Sequence, residues 1–254
     1  MEETAYESGS AMSLLAWCTA MRDAAQELLW PTRCVCCDYP GELLCESCRK
    51  SLPWIEQRWA CPVCGAPFGS LICTECKKDW PSRSCVCALP FRGPAAQMVT
   101  CLKDSHELRL APVIAAAMAT ALDEASAWPV TDGTLRYDTS SLDALCYVPA
   151  TRKAFNRRGF DHMELVSHEL AWLTSLPVAD VLVRDTGKDQ RSLGREDRQA
   201  NLRHAIDVVG DVSGLDLLLV DDVITTGASV CACTEALLEK GAHSVSICAL
   251  ARVW

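Results

Sequence analysis

The chain has 254 residues, half of them hydrophobic and 22% charged, which is room for one α/β domain with a sizeable core plus a small appendage. Its net charge of −9 is uneven: residues 1–30 carry one Arg against five acids, residues 31–92 eight Lys/Arg against six, and residues 93–254 fifteen against twenty-two. An acidic larger part excludes a broad electrostatic footprint for nucleic acid there. Met1 to Ser10 is acidic and lacks the basic start of a signal peptide, and the longest apolar run, about Ala111 to Leu122, is too short to insert in a bilayer. The expectation is a cytoplasmic chain, in which paired cysteines bind metal more often than each other.

Met12 to Leu29 has helical spacing, with Leu14, Leu15, Cys18, Met21, Ala25 and Leu28 on one broad face, and Trp30-Pro31 ends it. Residues 1–30 therefore read as an N-terminal packing helix. Residues 31–90 form a cysteine-rich module with an internal repeat. Cys34-x-x-Cys37 and Cys45-x-x-Cys48 are followed by Cys61-x-x-Cys64 and Cys73-x-x-Cys76, with seven residues between the hooks in one half and eight in the other. Eight thiolates at this spacing predict two structural Zn²⁺ ions, each enclosed by four sulfurs with no open position. Consecutive pairing gives one site from Cys34, Cys37, Cys45 and Cys48 and another from Cys61, Cys64, Cys73 and Cys76; interleaved pairing of the same hooks is the alternative, and iron–sulfur ligation the rival chemistry. Pro62 and Gly65 suit the tight turns of a knuckle. Cys36 breaks the spacing and is expected to be a bystander. Cys85 and Cys87 alternate as on one face of a strand, and Cys101, Cys146, Cys231, Cys233 and Cys248 read as core. Trp54, Trp59 and Trp80 lie near Arg58, Lys77 and Lys78. They read first as the core of a small module, and secondly as a stacking surface for single-stranded DNA within residues 31–92.

Residues 91–254 alternate apolar runs with helical stretches: a buried helix over Ala111 to Leu122, a surface loop over Thr131 to Ser140, a strand over Leu145 to Pro149 and a helix over Phe160 to Leu173. Strands over Val178 to Val183 and Leu215 to Val220, a helix over Val230 to Lys240 and a last strand over Ser244 to Leu250 follow. This alternation predicts right-handed crossovers and a largely parallel sheet.

The run from Leu217 to Ser229, Leu-Leu-Leu-Val-Asp-Asp-Val-Ile-Thr-Thr-Gly-Ala-Ser, carries the functional reading. Four aliphatic residues end a central strand, and Asp221 and Asp222 appear where open α/β sheets bind ligands. Thr225, Thr226, Gly227, Ala228 and Ser229 then lead into a helix. Gly227 permits a tight turn, and successive N–H groups with a helix dipole behind them suit a phosphate monoester. Carboxylates repel phosphate, so the two acids should face sugar hydroxyls or Mg²⁺. A strand ending in a solvated acidic turn is the plain alternative. No Gly-x-x-x-x-Gly-Lys-Ser/Thr run is present, which excludes a Walker-type loop.

Val220 to Ser229 resembles the signature by which type I phosphoribosyltransferases bind 5-phosphoribosyl-1-pyrophosphate (PRPP). Val148 to Phe160, reading Val-Pro-Ala-Thr-Arg-Lys-Ala-Phe-Asn-Arg-Arg-Gly-Phe, and Thr186 to Asn201, with its Gln190, Leu193, Arg198 and Asn201, resemble two further segments of the ComF family. The paired Cys-x-x-Cys motifs complete that likeness, which covers nearly the whole chain from Leu28. The resemblance implies a type I phosphoribosyltransferase fold with a Rossmann-like parallel sheet, preceded by the zinc module. It implies that Asp221 and Asp222 serve the ribose hydroxyls with Mg²⁺, that Thr225 to Ser229 hold the 5-phosphate, and that Thr151, Arg152 and Lys153 occupy the place of the pyrophosphate loop. The polar stretch Asp185 to Asn201 would be a loop that folds over PRPP, or a plain connection. Where the family continues Arg-Gly-Phe with Asn-Gln, this chain has Asp161-His162; Asp161 suits a helix N-cap, and His162 is left open. The activity implied is transfer of phosphoribosyl to an acceptor the sequence does not name. The alternative is a non-catalytic protein that senses PRPP or handles single-stranded DNA in uptake (competence) or repair.

Overall fold

The computed structural model describes residues 21, 31–69, 73, 74, 76, 80–130, 133–184 and 206–254. The helix expected over 12–29 (Met21 aside), the loop expected over 185–201, and Lys77 and Lys78 lie outside the described residues.

A short helix α1 (Glu46–Lys50) sits among the first cysteine hooks. β1 (Ser84–Pro90), α2 (Pro94–Asp104) and α3 (Ala111–Ala125) follow, then β2 (Ala144–Tyr147), α4 (Arg152–Arg158) and α5 (His162–Thr174). The remainder is β3 (Leu182–Arg184), β4 (Ile206–Val208), β5 (Asp216–Ile224), α6 (Ala228–Glu239) and β6 (Ser244–Arg252). Four strands form one parallel sheet in the order β1-β6-β5-β2. Because β1 is an edge strand of this sheet, the sheet reaches into the 31–90 span expected to be the cysteine module.

The sheet is covered on both faces, which is why its central strands read as continuous apolar runs. Leu218 and Val220 of β5 join a core with Met98 and Leu102 of α2, Ile114 and Met118 of α3, and Met163 and Leu170 of α5. Leu217 and Leu219, on the opposite face by strand alternation, pack with Val230, Cys233 and Leu237 of α6. Cys146, Cys233 and Cys248 are buried in these layers, as are Cys85 and Cys87, while Cys101 and Cys231 are only partly covered.

Three elements differ from expectation. β5 runs past Val220 to Ile224, because β6 supplies ladder partners as far as the pairing of Ile224 with Arg252. On its other side β5 is paired only to Val220, opposite Tyr147, so the sheet opens at the two acids. The expected strand Val178 to Val183 divides: Val178 bridges to Leu145 beside β2, and Leu182–Arg184 pairs antiparallel with β4. Exposed Asp180, in the middle of that run, has no place between two apolar layers. The expected surface loop over 131–140 buries Arg136 and Tyr137. Ser84 Oγ donates to the Arg136 carbonyl at 2.7 Å, and the Arg136 guanidinium donates to the Gln57 carbonyl, so those polar groups are satisfied inside. Among the described residues no helix is long and apolar enough to cross a membrane.

Candidate functional site

At the C-terminal end of β5 the chain turns through exposed Thr225 and Thr226 into α6. Gly227 is the N-cap residue with φ of 78°, a left-handed conformation that glycine adopts without strain. A Cβ at this position would also lie 2.5 Å from Cη2 of Trp80, whose indole packs against it. The Cys231 N–H donates to the Gly227 carbonyl at 2.9 Å, closing the first helical turn. The N–H groups of Ala228, Ser229 and Val230 come before that bond and face outward from the helix start, with only a 3.4 Å contact from Ala228 N to Thr226 Oγ1. Such an end attracts an anion. Arg184, at the end of β3, brings Nη2 within 3.5 Å of Ser229 Oγ, and its buried Nε has no hydrogen-bond partner among the described residues. A cation thus stands beside the turn.

Both acids are buried. By strand alternation Asp222 leaves β5 on the Leu218 face, where Lys103 of α2 forms an ion pair with Oδ2 and His162 Nε2 lies 3.4 Å away. Burial alone would raise its pKa; the His162 hydrogen bond and the Lys103 charge outweigh it and hold Asp222 below the ordinary carboxylate range. Asp221 leaves on the α6 face and accepts the Asp222 N–H at 2.9 Å. Burial, reinforced by the charge of Asp222, pushes Asp221 well above the ordinary range. The two neighbouring carboxyls are thus pushed in opposite directions, Asp222 toward the charged form and Asp221 away from it.

The segment after β2 is pinned by Asp161. Its carboxylate accepts from Met163 N at 2.9 Å as the N-cap of α5 and from Ala150 N at 2.7 Å. Thr151 caps α4, accepting from Ala154 N at 3.1 Å, so Arg152 and Lys153 lie in the first turn of a helix rather than in a loop. Both are exposed. Two cations at the positive end of a helix dipole repel it and favour a bound anion. His162, buried and 6% exposed, joins the two halves of the site, with Nδ1 3.2 Å from Arg158 Nη1.

The cysteine hooks pair consecutively. Sulfurs of Cys34, Cys37, Cys45 and Cys48 lie within 4.8 Å of one another, as do those of Cys61, Cys64, Cys73 and Cys76. The shorter separations are 3.6 Å for Cys37–Cys45, 3.4 Å for Cys61–Cys76 and 3.6 Å for Cys64–Cys73. A tetrahedron with Zn–S bonds of about 2.3 Å has edges of roughly 3.8 Å, so the sulfurs fit Zn²⁺. The Cys61 pKa is brought down to about 5, chiefly by a hydrogen bond with Cys64. Cys34 falls to about 6, burial being outweighed by main-chain N–H donors led by Cys45. Burial pushes Cys76 up to about 12. Cys36, the expected bystander, stays outside both groups.

Of the three Trp residues expected to fill the module, Trp80 packs inward, whereas Trp54 and Trp59 are 37% and 42% exposed. They line a cleft of about 110 Å³ with Phe68, Arg92 and Trp254. Arg58 lies 4.6 Å from the Trp59 ring centroid and 5.5 Å from that of Trp128, and Arg92 lies 5.9 Å from that of Trp254.

Sequence reasoning missed Lys103, Arg184 and Arg252, and read Trp80 as module core without its contact to the Gly227 turn. None belongs to a motif; each reaches the site by tertiary packing, and only the Trp between zinc hooks and sheet gave a signal.

A phosphoribosyl transferase domain family matches residues 156–253, and a double zinc ribbon domain family matches residues 25–77. The chain is 30% identical over 232 residues to the DNA utilization protein YhgH of Salmonella typhimurium, covering 87% of this chain and 97% of that protein. The corresponding protein of Salmonella typhi is 29% identical over 235 residues, with the same coverage. A ribose-phosphate pyrophosphokinase of Vibrio parahaemolyticus is 30% identical over 104 residues, 41% of this chain and 32% of its own length.

Replacing Lys103 with Met leaves Asp222 buried without its ammonium, at a cost of about 1–3 kcal/mol. Asp222 has a depressed pKa in the folded chain, so its pairing stabilises above the unfolded carboxylate value of about 3.9 and is lost as pH falls. Urea unfolding should show the gap between wild type and Lys103→Met widest near neutrality and closing toward acid.

Proposed function

Because the chain belongs to the ComF family, that of the DNA utilization protein YhgH, with a parallel-sheet phosphoribosyltransferase fold and an N-terminal zinc ribbon module, we propose that it binds PRPP with Mg²⁺ at the end of β5 and transfers phosphoribosyl to an acceptor. The observation that carries this reading is the direct passage from a buried acid pair into a glycine turn and helix N-terminus with Arg184 alongside.

In this reading the N–H groups of Thr226 to Ser229 and the Arg184 guanidinium hold the 5-phosphate. Asp222, beside Lys103 and His162, accepts a ribose hydroxyl, and Asp221 is the second carboxyl next to it. Arg152 and Lys153, already crowded at a helix N-terminus, receive the pyrophosphate, whose charge grows as the bond to C1 breaks. Carboxylate oxygens are hard donors that suit Mg²⁺, and Asp221 and Asp222 are the residues that would hold it with the ribose and pyrophosphate oxygens, where the ion would neutralise leaving-group charge. The protein's part is positioning and electrostatics; among the described residues no side chain is poised as a general base toward an acceptor. Eight metal-bound thiolates also suit a reducing compartment, in keeping with a cytoplasmic placement.

A second reading is supported by the aromatic cleft. Trp54, Trp59, Phe68 and Trp254 with Arg58 and Arg92 form a stacking and cationic surface of the kind that holds single-stranded nucleic acid. It extends beyond residues 31–92, since Trp128 and Trp254 contribute, and it is local, as an acidic molecule requires.

Isothermal titration with Mg-PRPP should give saturable heat that disappears in Asp221→Asn/Asp222→Asn. Arg184→Ala should weaken binding about tenfold, the value of one charge-assisted contact of about 1.4 kcal/mol. An isotherm unchanged by the acid replacements would remove the assignment, and pyrophosphate release in the presence of a base panel would separate an enzyme from a sensor.

For the cleft, Trp54→Ala/Trp59→Ala should reduce affinity for a single-stranded oligonucleotide roughly tenfold or more. That affinity should fall with salt, and Mg-PRPP heat should stay at the wild-type level. Retention of the oligonucleotide by the double variant would discard the second reading.

A further inference from the structure

Arg252, the last residue of β6, is 3% exposed, and its guanidinium is shared between two parts of the molecule. Nε donates to the Cys64 carbonyl at 3.0 Å, inside the second cysteine cluster. Nη1 donates to the Ile224 and Thr225 carbonyls at 3.2 and 2.5 Å, where β5 enters the phosphate turn, and to the Val253 carbonyl. All four partners are main-chain oxygens, and among the described residues no carboxylate pairs with the charge. Four thiolates around one Zn²⁺ carry two net negative charges, and Cys64 supplies one of those thiolates. The metal-bound cluster is the counter-charge that this buried cation needs.

Trp80 provides a second, separate link. It follows Cys76 by four residues, and its indole lies over Gly227, so close that any Cβ there would meet Cη2 and Cζ2 at 2.5 and 2.6 Å. The same knuckle is seated on the sheet. The Cys85 N–H donates to the Pro62 carbonyl at 2.8 Å, and a Cβ at Gly65 would lie 2.5 Å from Cys87 Sγ. Among the described residues the first cluster has no such tie. Cys34 and Cys45 pack into the core on the α3 side of the sheet, away from the turn.

We propose that the second cysteine cluster is the strut that positions the Thr225–Ser229 turn, with Arg252 and Trp80 as its positioning residues, so that metal occupancy of this cluster sets the affinity for a phosphate-bearing ligand. The affinity part rests on the PRPP reading; the mechanical part does not. A metal-free or oxidised second cluster would leave the sheet intact and the phosphate cup loose.

The test uses the full chain in its zinc-loaded form, with amide hydrogen exchange followed at Cys231, whose N–H closes the turn on the Gly227 carbonyl, and, as a control for the fold, at Leu217 to Val220. Trp80→Ala and Arg252→Met should speed exchange in the turn about tenfold or more, the loss of one buried contact, while Leu217 to Val220 stay protected. Cys76→Ser should lower zinc content by one ion per chain and speed the turn to a similar degree. Trp172→Ala, an equal truncation on the exposed side of α5, should leave the turn at its wild-type rate. The same samples titrated with Mg-PRPP should bind about tenfold more weakly where the turn is loosened. Should Arg252→Met also unprotect Leu217 to Val220, Trp80→Ala decides alone. Wild-type turn exchange in Trp80→Ala and Cys76→Ser overturns the proposal. If wild type gives no heat with Mg-PRPP yet the turn responds as stated, the strut stands and the ligand assignment falls.

Discussion

A carboxylate pair at the end of a buried strand is expensive unless opposite charge is brought to it, and much of the molecule is arranged around that requirement. β5 must be flanked on both sides to be central, yet unpaired beyond Val220 on one side for the acids to be reached. α2 has to place Lys103, and α5 has to begin at His162, for Asp222 to stay ionised. The Asp161 cap that starts α5 also grips Ala150 and so fixes the start of the cationic helix α4. One electrostatic demand thereby coordinates α2 with the adjacent pair α4 and α5, which follow it by about fifty residues.

The sequence made the strand, the turn and the metal hooks legible because each is written in neighbouring residues. Leu217 to Val220 is apolar on both faces, Gly227 is needed where φ is positive, and Cys-x-x-Cys spacing is a property of a short turn. The long-range groups were invisible for the same reason. Lys103 is the one lysine of α2, and nothing local says that it faces a strand more than a hundred residues later. Burial of Arg136 inside an apparently polar loop was equally hidden, since its satisfaction depends on carbonyls of Gln57 and of its own neighbours. The strand-end error at Val220 has a plain cause: strand propensity weighs side chains, whereas β6 extended β5 through main-chain bonds. Consecutive pairing of the hooks needed coordinates, because either arrangement satisfies the spacing.

The two halves of the molecule share more than a linker. The knuckle lies on β1, Trp80 on the phosphate turn, and Arg252 between them, while the exposed aromatic cleft draws Trp54 and Trp59 from the cysteine-rich region and Trp254 from the other end of the chain.

The strand order has a consequence for biosynthesis. β6 lies between β1 and β5 in space but follows both in the chain, so a ribosome makes the outer strand β1 long before the piece that joins it to β5 and β2. Until Ser244–Arg252 emerges, β1 has no neighbour, and the apolar flank of β5 stands open beside an unfinished cup. Closure of this sheet is a late event governed by non-local pairing, and the nascent chain passes through an interval in which it depends on the metal staples, already complete, to keep its N-terminal part in order.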